Sequence, residues 1–597
     1  MTAAEPKRTL IVQGVGVSPG IAIGTAHLVR PVDAPISRYQ LEDRRLVAEE
    51  IRRFRKALKD SENELLEIKR KFKDQEGLET LYILDVHIMI LRDKMLIRQT
   101  TQNIEEKGIN AEWALRMTLD KYRDVFSKVD DEYLRERVSD VEYAGQRILR
   151  NLAGVHHETI SGIGDHAIVI ARDLSPADTM QMKVEKIQGF ATDMGGKTSH
   201  TAIVARAYEI PAVVGLEKIT TEARTGDLVI IDGTAGAVIV NPDPEIIRRY
   251  EEKKRHYETV EDSLLKNARR PAVTLDRHRL QIGANIEFTE EVASAVHHGA
   301  DGIGLYRTEF IYINRDRLPT EEEHFCAYRK VVESRGIRWA TIRTFDLGGD
   351  KFISDPRLAA EMNPVMGLRA IRFCLREVDL FKVQLRAILR ASAYGRTKVL
   401  FPMISGMEEL LETKRIFNEV KKDLKRDGIP YGKDVKIGIM MEVPSAALIA
   451  EDLAREVDFF SIGTNDLIQY GLAVDRANEK IAHMYEPAHP AILRLIRHVV
   501  RAAKAARIPC GICGEMAGDP VFTEILVGLG IDSLSMSAVS IPMVRAEIAN
   551  IRMNVAKRFA RRVLKMGSES AIKKLLYKRY KSRHTLSRVL GRENGLE

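Results

Sequence analysis

Phe459-Phe-Ser-Ile-Gly-Thr-Asn-Asp466 reads as a short apolar strand that runs into a glycine turn and delivers an amide and a carboxylate, Asn465 and Asp466, at its far end. Seven further runs share this design: residues 280–286, 302–308, 341–346, 399–404, 436–442, 510–514 and 533–536, with helical spacing between them. Eight strands separated by helices fit a (β/α)₈ barrel, which usually takes about 250 residues and carries its active site at the C-terminal ends of the strands. Those ends are therefore where chemistry is expected.

The strand ends bear one kind of chemistry. Gly304-Leu-Tyr-Arg-Thr-Glu309 presents Arg307, and the third strand leads into Arg343, Asp346 and Lys351. Met440-Met-Glu-Val-Pro444 presents Glu442, the sixth strand presents Asn465 and Asp466, and Arg476 follows ten residues after Asp466. Guanidinium forks match phosphate and carboxylate oxygens two at a time, and a carboxylate pair suits Mg²⁺ that keeps positions open for substrate oxygens. Any one of these residues taken alone is more simply a structural ion pair. Their succession along one rim is not explained that way.

Cys510-Gly-Ile-Cys513 closes the seventh strand. A zinc site would need a second Cys or His pair nearby, and a redox pair belongs at a helix N-terminus beside a βαβ unit. A thiol at a barrel rim, Cys513, reads instead as a proton donor or acceptor.

Ahead of the barrel, Gly195-Gly-Lys-Thr-Ser-His-Thr-Ala-Ile-Val-Ala-Arg206 sets a flexible turn and two hydroxyl residues before an alanine-rich helical run. Thr198 or Ser199 is suited to cap the first amides, which places His200 in the first turn. Free N–H groups and the positive end of the macrodipole favour an anion there, and imidazole is a competent nucleophile near neutral pH. By itself the segment is simply a capped helix.

Residues 9–30 read as short strands around Val17-Ser-Pro-Gly20, and β/α patterning returns at Ala167-Ile-Val-Ile-Ala171, Leu228–Asp232 and Val238–Val240. Between them, residues 39–153 lack proline and place apolar side chains at helical spacing, as in Ile51, Phe54, Leu58, Leu65 and Ile68. The helical block thus reads as an insertion in one β/α domain. Residues 243–265 are charged and helical, suited to a linker.

The 597 residues carry a net charge of +8, of which +10 falls after residue 556 and leaves −2 for the body. The basic tail reads as a solvated, partly helical segment, with phosphate or membrane-surface binding as the competing reading. Four cysteines are too few for a disulfide scaffold, and no signal peptide or apolar run of about 18 residues is present, so a cytoplasmic protein is expected.

With these residues together, the chain resembles the phosphoenolpyruvate-protein phosphotransferases, the Enzyme I family of the bacterial sugar phosphotransferase system, across about residues 10–550. The motifs that carry the resemblance are Gly195–Arg206, Gly16-Val-Ser-Pro-Gly-Ile-Ala22 and Asp458–Tyr470, together with the domain order. The resemblance implies a swivelling β/α phosphohistidine domain (1–38 and 154–242) interrupted by a helical carrier-binding domain (39–153). A hinge at 243–265, a phosphoenolpyruvate-binding barrel at 266–556 and a basic extension at 557–597 would follow.

It further implies that His200 takes the phosphoryl group of phosphoenolpyruvate, with Thr179 orienting it, and passes it to the carrier protein HPr. Arg307, Arg343, Lys351, Asn465 and Arg476 would bind the substrate, Glu442 and Asp466 would ligate Mg²⁺, and Cys513 would protonate the departing enolate. The resemblance also implies a homodimer built through the barrel.

Arg92 and Lys94 depart from the acidic character of the family's better-known carrier-binding helices. A dikinase or phosphoenolpyruvate synthase shares the histidine and barrel but needs an ATP-binding domain for which 597 residues leave no room, and typically has Ala where this chain has Thr201. A degenerate enzyme body that binds nucleic acid through its tail would have lost rim residues, yet all are present. The nitrogen-regulatory branch of the same system stays open; no sensory domain precedes residue 1, which favours the sugar branch.

Overall fold

The structure, a computed structural model, describes residues 9–29, 37–71, 87–126, 132–154, 167–174, 186–196, 200–312, 318–346, 366–476 and 481–583. The chain divides into two compact units, with the boundary between Glu258 and Thr259.

In the first unit, eight strands form one sheet: β1 (Leu10–Gln13), β2 (Val15–Ser18), β3 (Ile21–Val29), β4 (Ala167–Ala171), β5 (Ile187–Thr192), β6 (Ala212–Val214), β7 (Leu228–Asp232) and β8 (Ala237–Val240). Their order is β1-β8-β7-β3-β4-β5-β6-β2. The centre, β3 to β6, is parallel, and β4 is buried along its whole length, Ala-Ile-Val-Ile-Ala. Parallel strands need cover on both faces, which is why this run is continuously apolar rather than alternating. The β7–β8 hairpin turns through Gly236 at φ 71°, a conformation that favours glycine.

Adjacent strands β3 and β4 are far apart in sequence because a helical bundle is inserted between them. Among the described residues its helices include α1 (Arg44–Lys71), α2 (Lys94–Lys107), α3 (Ala111–Phe126) and α4 (Glu132–Ala153). Phe54, Leu58, Leu65 and Ile68 bury one stripe of α1 against Leu96, Ile104, Leu115 and Ile148, as their spacing requires. Full burial of each such side chain stabilises by about 1.5–3 kcal/mol. Asp93 caps α2 by accepting from Leu96 N at 2.6 Å, and Gly108 ends it at φ 60°. Two buried carboxylates, Glu50 and Glu112, are bridged by Arg53, which also donates to the Leu152 carbonyl. The helices are thereby tied together by charge-assisted bonds inside the bundle.

Helix α5 (His200–Ala207) follows β5, and α6 (Pro244–Lys266) follows β8. Lys253 on α6 pairs with the fully buried Asp232 of β7 at 2.6 Å.

The second unit is a closed barrel of eight parallel strands: β9 (Gln281–Ile286), β10 (Gly302–Tyr306), β11 (Ala340–Arg343), β12 (Thr397–Phe401), β13 (Lys436–Met440), β14 (Phe459–Ile462), β15 (Cys510–Ile512) and β16 (Ser533–Met536). Strand β16 pairs with β9 and closes it. Most strands stop one to three residues earlier than their apolar runs suggest, so Arg307, Asp346, Glu442 and Cys513 lie in the loops just beyond. Outer helices include α7 (Thr464–Leu472), α8 (Pro490–Ala506), α9 (Pro520–Leu529), α10 (Met553–Val563) and α11 (Glu569–Arg583).

The basic C-terminal segment is not a solvated tail through Arg583. Helix α10 lies so close to α9 that a β-carbon on Gly528 would come within 2.2 Å of the Ala556 carbonyl. On α11, Ile572 and Leu576 are buried in the barrel core, and Arg579 and Arg583 both bond the buried Glu524. Lys573, Arg579 and Arg583, counted as free basic surface, thus hold the segment onto the barrel through Glu486 and Glu524.

Candidate active site

The C-terminal ends of the barrel strands gather a buried charge cluster. Arg343, the last residue of β11, is 6% exposed and is clamped between Glu309 and Asp346, the latter at 2.9 Å. Asp346 is shared with Arg369, whose guanidinium donates to its Oδ1 at 2.8 and 3.1 Å. Beside them Arg307 pairs with Glu287 at 2.5 Å. The carboxylates hold the guanidinium planes in place, so their remaining donors are preorganised.

Glu442 is fully buried, and its Oε1 accepts from the Met403 backbone N at 2.6 Å. Met403 adopts φ 58°, uncommon for a residue with a side chain and a sign of local strain around this contact. Oε2 of Glu442 has no hydrogen-bond partner among the described residues, nor do Arg343 Nε or Thr464 Oγ1. Buried polar atoms are nearly always satisfied, so such orphans at one rim call for a ligand. Burial pushes the Glu442 carboxyl well above the ordinary carboxylate range, and the charges of Asp466 and Asp346 push it further.

Asp466 and Asn465 open α7. Asn465 accepts from Glu515 N at 2.9 Å, and the hydroxyl of Tyr485 donates to the Asn465 carbonyl at 3.3 Å. Arg476 is exposed, and its side chain reaches the Tyr485 hydroxyl. Gly514 lets this corner close: a β-carbon there would stand 1.8 Å from Thr464 Oγ1.

Cys513 follows β15, is buried, and points its Sγ at the Ile462 carbonyl at 3.6 Å. Its backbone carbonyl accepts from Asn285, which is held in turn by Ser535. Burial pushes the thiol up to about 11, and the charge of Glu442 adds to the rise against Arg343 and Arg307. The thiol therefore carries its proton at neutral pH, which suits a donor to a strongly basic carbon.

An acidic pair fits a hard divalent cation. No group of three or more metal-ligating side chains exists among the described residues, but Mg²⁺ usually keeps several waters and needs only one or two protein carboxylates. The orphaned Glu442 Oε2, with like-charged Asp466 close enough to raise its carboxyl, suits that donor set.

Arg307, Arg343, Glu442, Asn465, Asp466, Arg476 and Cys513 thus converge on the rim. Thr179 and Lys351 lie outside the described residues, as do the expected caps Thr198 and Ser199. His200 is the first residue of α5, the helical position expected of it. Sequence reasoning overlooked Glu287, Glu309 and Arg369. Glu309 stood within a run already quoted, whereas Arg369 follows no strand, and only the fold returns it to Asp346. Arg92 is less anomalous than its charge suggests, because it pairs with Glu62 across the bundle and holds that carboxyl below its usual range.

No helix among the described residues is long and apolar enough to cross a membrane. Family models match in three segments: the N-terminal domain of PEP-utilising enzymes at residues 13–137, their mobile domain at 163–236 and their PEP-binding domain at 262–553. The chain is 42% identical over 565 residues to the phosphoenolpyruvate-protein phosphotransferase of Bacillus sp. (strain S), covering 95% of this chain and 97% of that one. It is equally similar to that of Geobacillus stearothermophilus, 42% over 565 residues with the same coverage, and 41% identical over 560 residues to that of Bacillus subtilis, covering 94% and 98%. With its barrel, its β/α domain and its near full-length similarity to these enzymes, the chain belongs to the phosphoenolpyruvate-protein phosphotransferase family.

Proposed function

We propose that the barrel rim binds phosphoenolpyruvate and that His200 attacks its phosphorus, forming a P–N bond as the P–O bond to the enol oxygen breaks. Arg307, Arg343 and Arg476, with Lys351 and Asn465, bind the phosphate and carboxylate. The enolate takes the Cys513 proton at its terminal carbon and leaves as pyruvate, and solvent returns a proton to the thiolate. Glu442 and Asp466 would hold Mg²⁺, which when bound would neutralise phosphoryl charge. Phosphoryl transfer depends mainly on positioning and charge neutralisation, which is what a cluster of fixed guanidiniums supplies. The single observation that carries this reading is the juxtaposition of orphaned Glu442 Oε2 and Arg343 Nε with a protonated, buried Cys513.

His200 and the rim belong to different compact units, and reacting atoms must approach within about 3–3.5 Å. A swing of the β/α domain about residues 243–265 brings the histidine to the rim and then to a carrier. The acceptor is a histidine on an HPr-like carrier docked on the helical bundle, Thr179 orients His200, and the enzyme works as a cytoplasmic homodimer through its barrel.

Incubation with ³²P-labelled phosphoenolpyruvate and Mg²⁺ tests the assignment. An acid-labile, alkali-stable label is expected on the parent protein and none on His200→Ala. Equal labelling of both overturns it, and labelling from ATP alone favours dikinase chemistry.

A further inference from the structure

On the outer wall of the barrel, well apart in composition from the rim, α8 and α10 enclose a groove of about 790 Å³. Arg494, Arg497 and Arg501 recur on α8 at spacings of three and four and so share one helix face. Facing them, Arg558, Arg561, Arg562 and Lys565 do the same along and just beyond α10. His498 and Leu564 complete the lining, and no acidic side chain lines the groove.

Other arginines of the barrel unit are neutralised: Arg386, Arg390, Arg415, Arg579 and Arg583 are all paired with carboxylates. The seven cations of the groove are not. Among the described residues none of them pairs with a carboxylate. Arg494 is anchored on the Leu564 and Met566 carbonyls and Arg561 on the Lys557 carbonyl, so part of the wall is held in place. Like charges three and four residues apart destabilise a helix, and two such stripes facing each other add to that repulsion. An anion that accepts several guanidinium forks reverses the balance.

We propose that this groove is a binding site for an oligophosphate anion, the linked phosphates of an inorganic polyphosphate or of a nucleoside triphosphate. Its volume falls in the range of small-ligand sites, about 300–1,000 Å³. Single-stranded nucleic acid is bound largely by stacking bases on several aromatic side chains, and this wall offers the His498 ring but no Phe, Tyr or Trp. The site shares no residue with the rim and does not depend on the reading of His200.

Calorimetric titration of the full-length protein with inorganic tripolyphosphate at fixed ionic strength tests it. One saturable site per chain is expected, weakened at least tenfold in the double variant Arg497→Ser, Arg561→Ser. The variant should keep its unfolding midpoint and its phosphotransfer rate without tripolyphosphate. A control, Arg335→Ser with Arg455→Ser, removes the same charge from other faces and should bind as the parent does. ATP binding tenfold tighter than tripolyphosphate identifies a nucleotide source, and equal affinity identifies the phosphate chain alone. Equal weakening in the control, displacement by sulfate at matched ionic strength, or tighter binding of an oligonucleotide that grows with its length would overturn the proposal.

Discussion

The backbone N of Met403 donates to Oε1 of Glu442 at 2.6 Å, while the other oxygen of that carboxylate is buried without a partner among the described residues. One half of the group is fixed by the protein and the other half is left for a ligand. The cost of that arrangement sets how the cation-free protein should respond to pH. Because burial and neighbouring carboxylates raise the Glu442 carboxyl, the folded state holds its proton more tightly than the unfolded chain does. Its contribution to stability is present below the ordinary value of 4.5 and is lost as pH rises through the raised one. In EDTA, Glu442→Gln should therefore flatten the fall in unfolding midpoint above pH 4.5, and Mg²⁺ should raise the midpoint of the parent but not of the variant. Activity of the variant should fall by about 10²–10³-fold, as when a preorganised charge-stabilising group is removed. A variant as active and as Mg²⁺-responsive as the parent would remove Glu442 from the cation site.

The Cys513 thiol, held at about 11, should act as an acid rather than a nucleophile. Cys513→Ala is expected to slow pyruvate formation by about 10²–10⁴-fold with little change in unfolding midpoint. Iodoacetamide should modify this thiol far more slowly than the exposed Cys326 at pH 8. Rapid alkylation of Cys513 at that pH would contradict the raised value.

Gly514 is required by space rather than by φ. A methyl group there meets Thr464 Oγ1 at 1.8 Å and Asn465 Oδ1 at 2.9 Å. Gly514→Ala should cost about 1–3 kcal/mol through overpacking and disturb the Asn465 to Glu515 bond. Urea unfolding reads the first effect and KM for phosphoenolpyruvate the second. Parent-like values in both would show that α7 can yield.

Helix α11 should contribute to barrel stability. Arg579→Ala with Arg583→Ala leaves Glu524 buried without its two guanidiniums, at a cost of about 2 kcal/mol. Glu547, raised to about 7 mainly by burial, is held down by Arg583, so losing that arginine should raise it further. Its stabilising contribution fades as pH rises from about 4.5 to 7, and in the double variant this fall should extend to higher pH. Unfolding midpoints between pH 5 and 8 provide the measurement.

Local sequence was enough for the barrel, the interrupted sheet and most of the rim, because each strand of a (β/α)₈ barrel ends beside its own polar residues. The apolar run Phe459–Ile462 and the polar pair Asn465 and Asp466 are neighbours in the chain, so no long-range contact was needed to read them together. Arg369 was invisible for the opposite reason, since its partner Asp346 lies 23 positions away in the sequence. The tail shows the same limit: its charge was countable, but whether Arg579 and Arg583 met water or Glu524 depended on α11 burying Ile572 and Leu576. Composition and spacing determined which chemistry this protein carries. Tertiary packing decided which cations are already neutralised, which line the groove between α8 and α10, and which oxygen of Glu442 remains for a ligand, because burial and pairing are properties of neighbours in space.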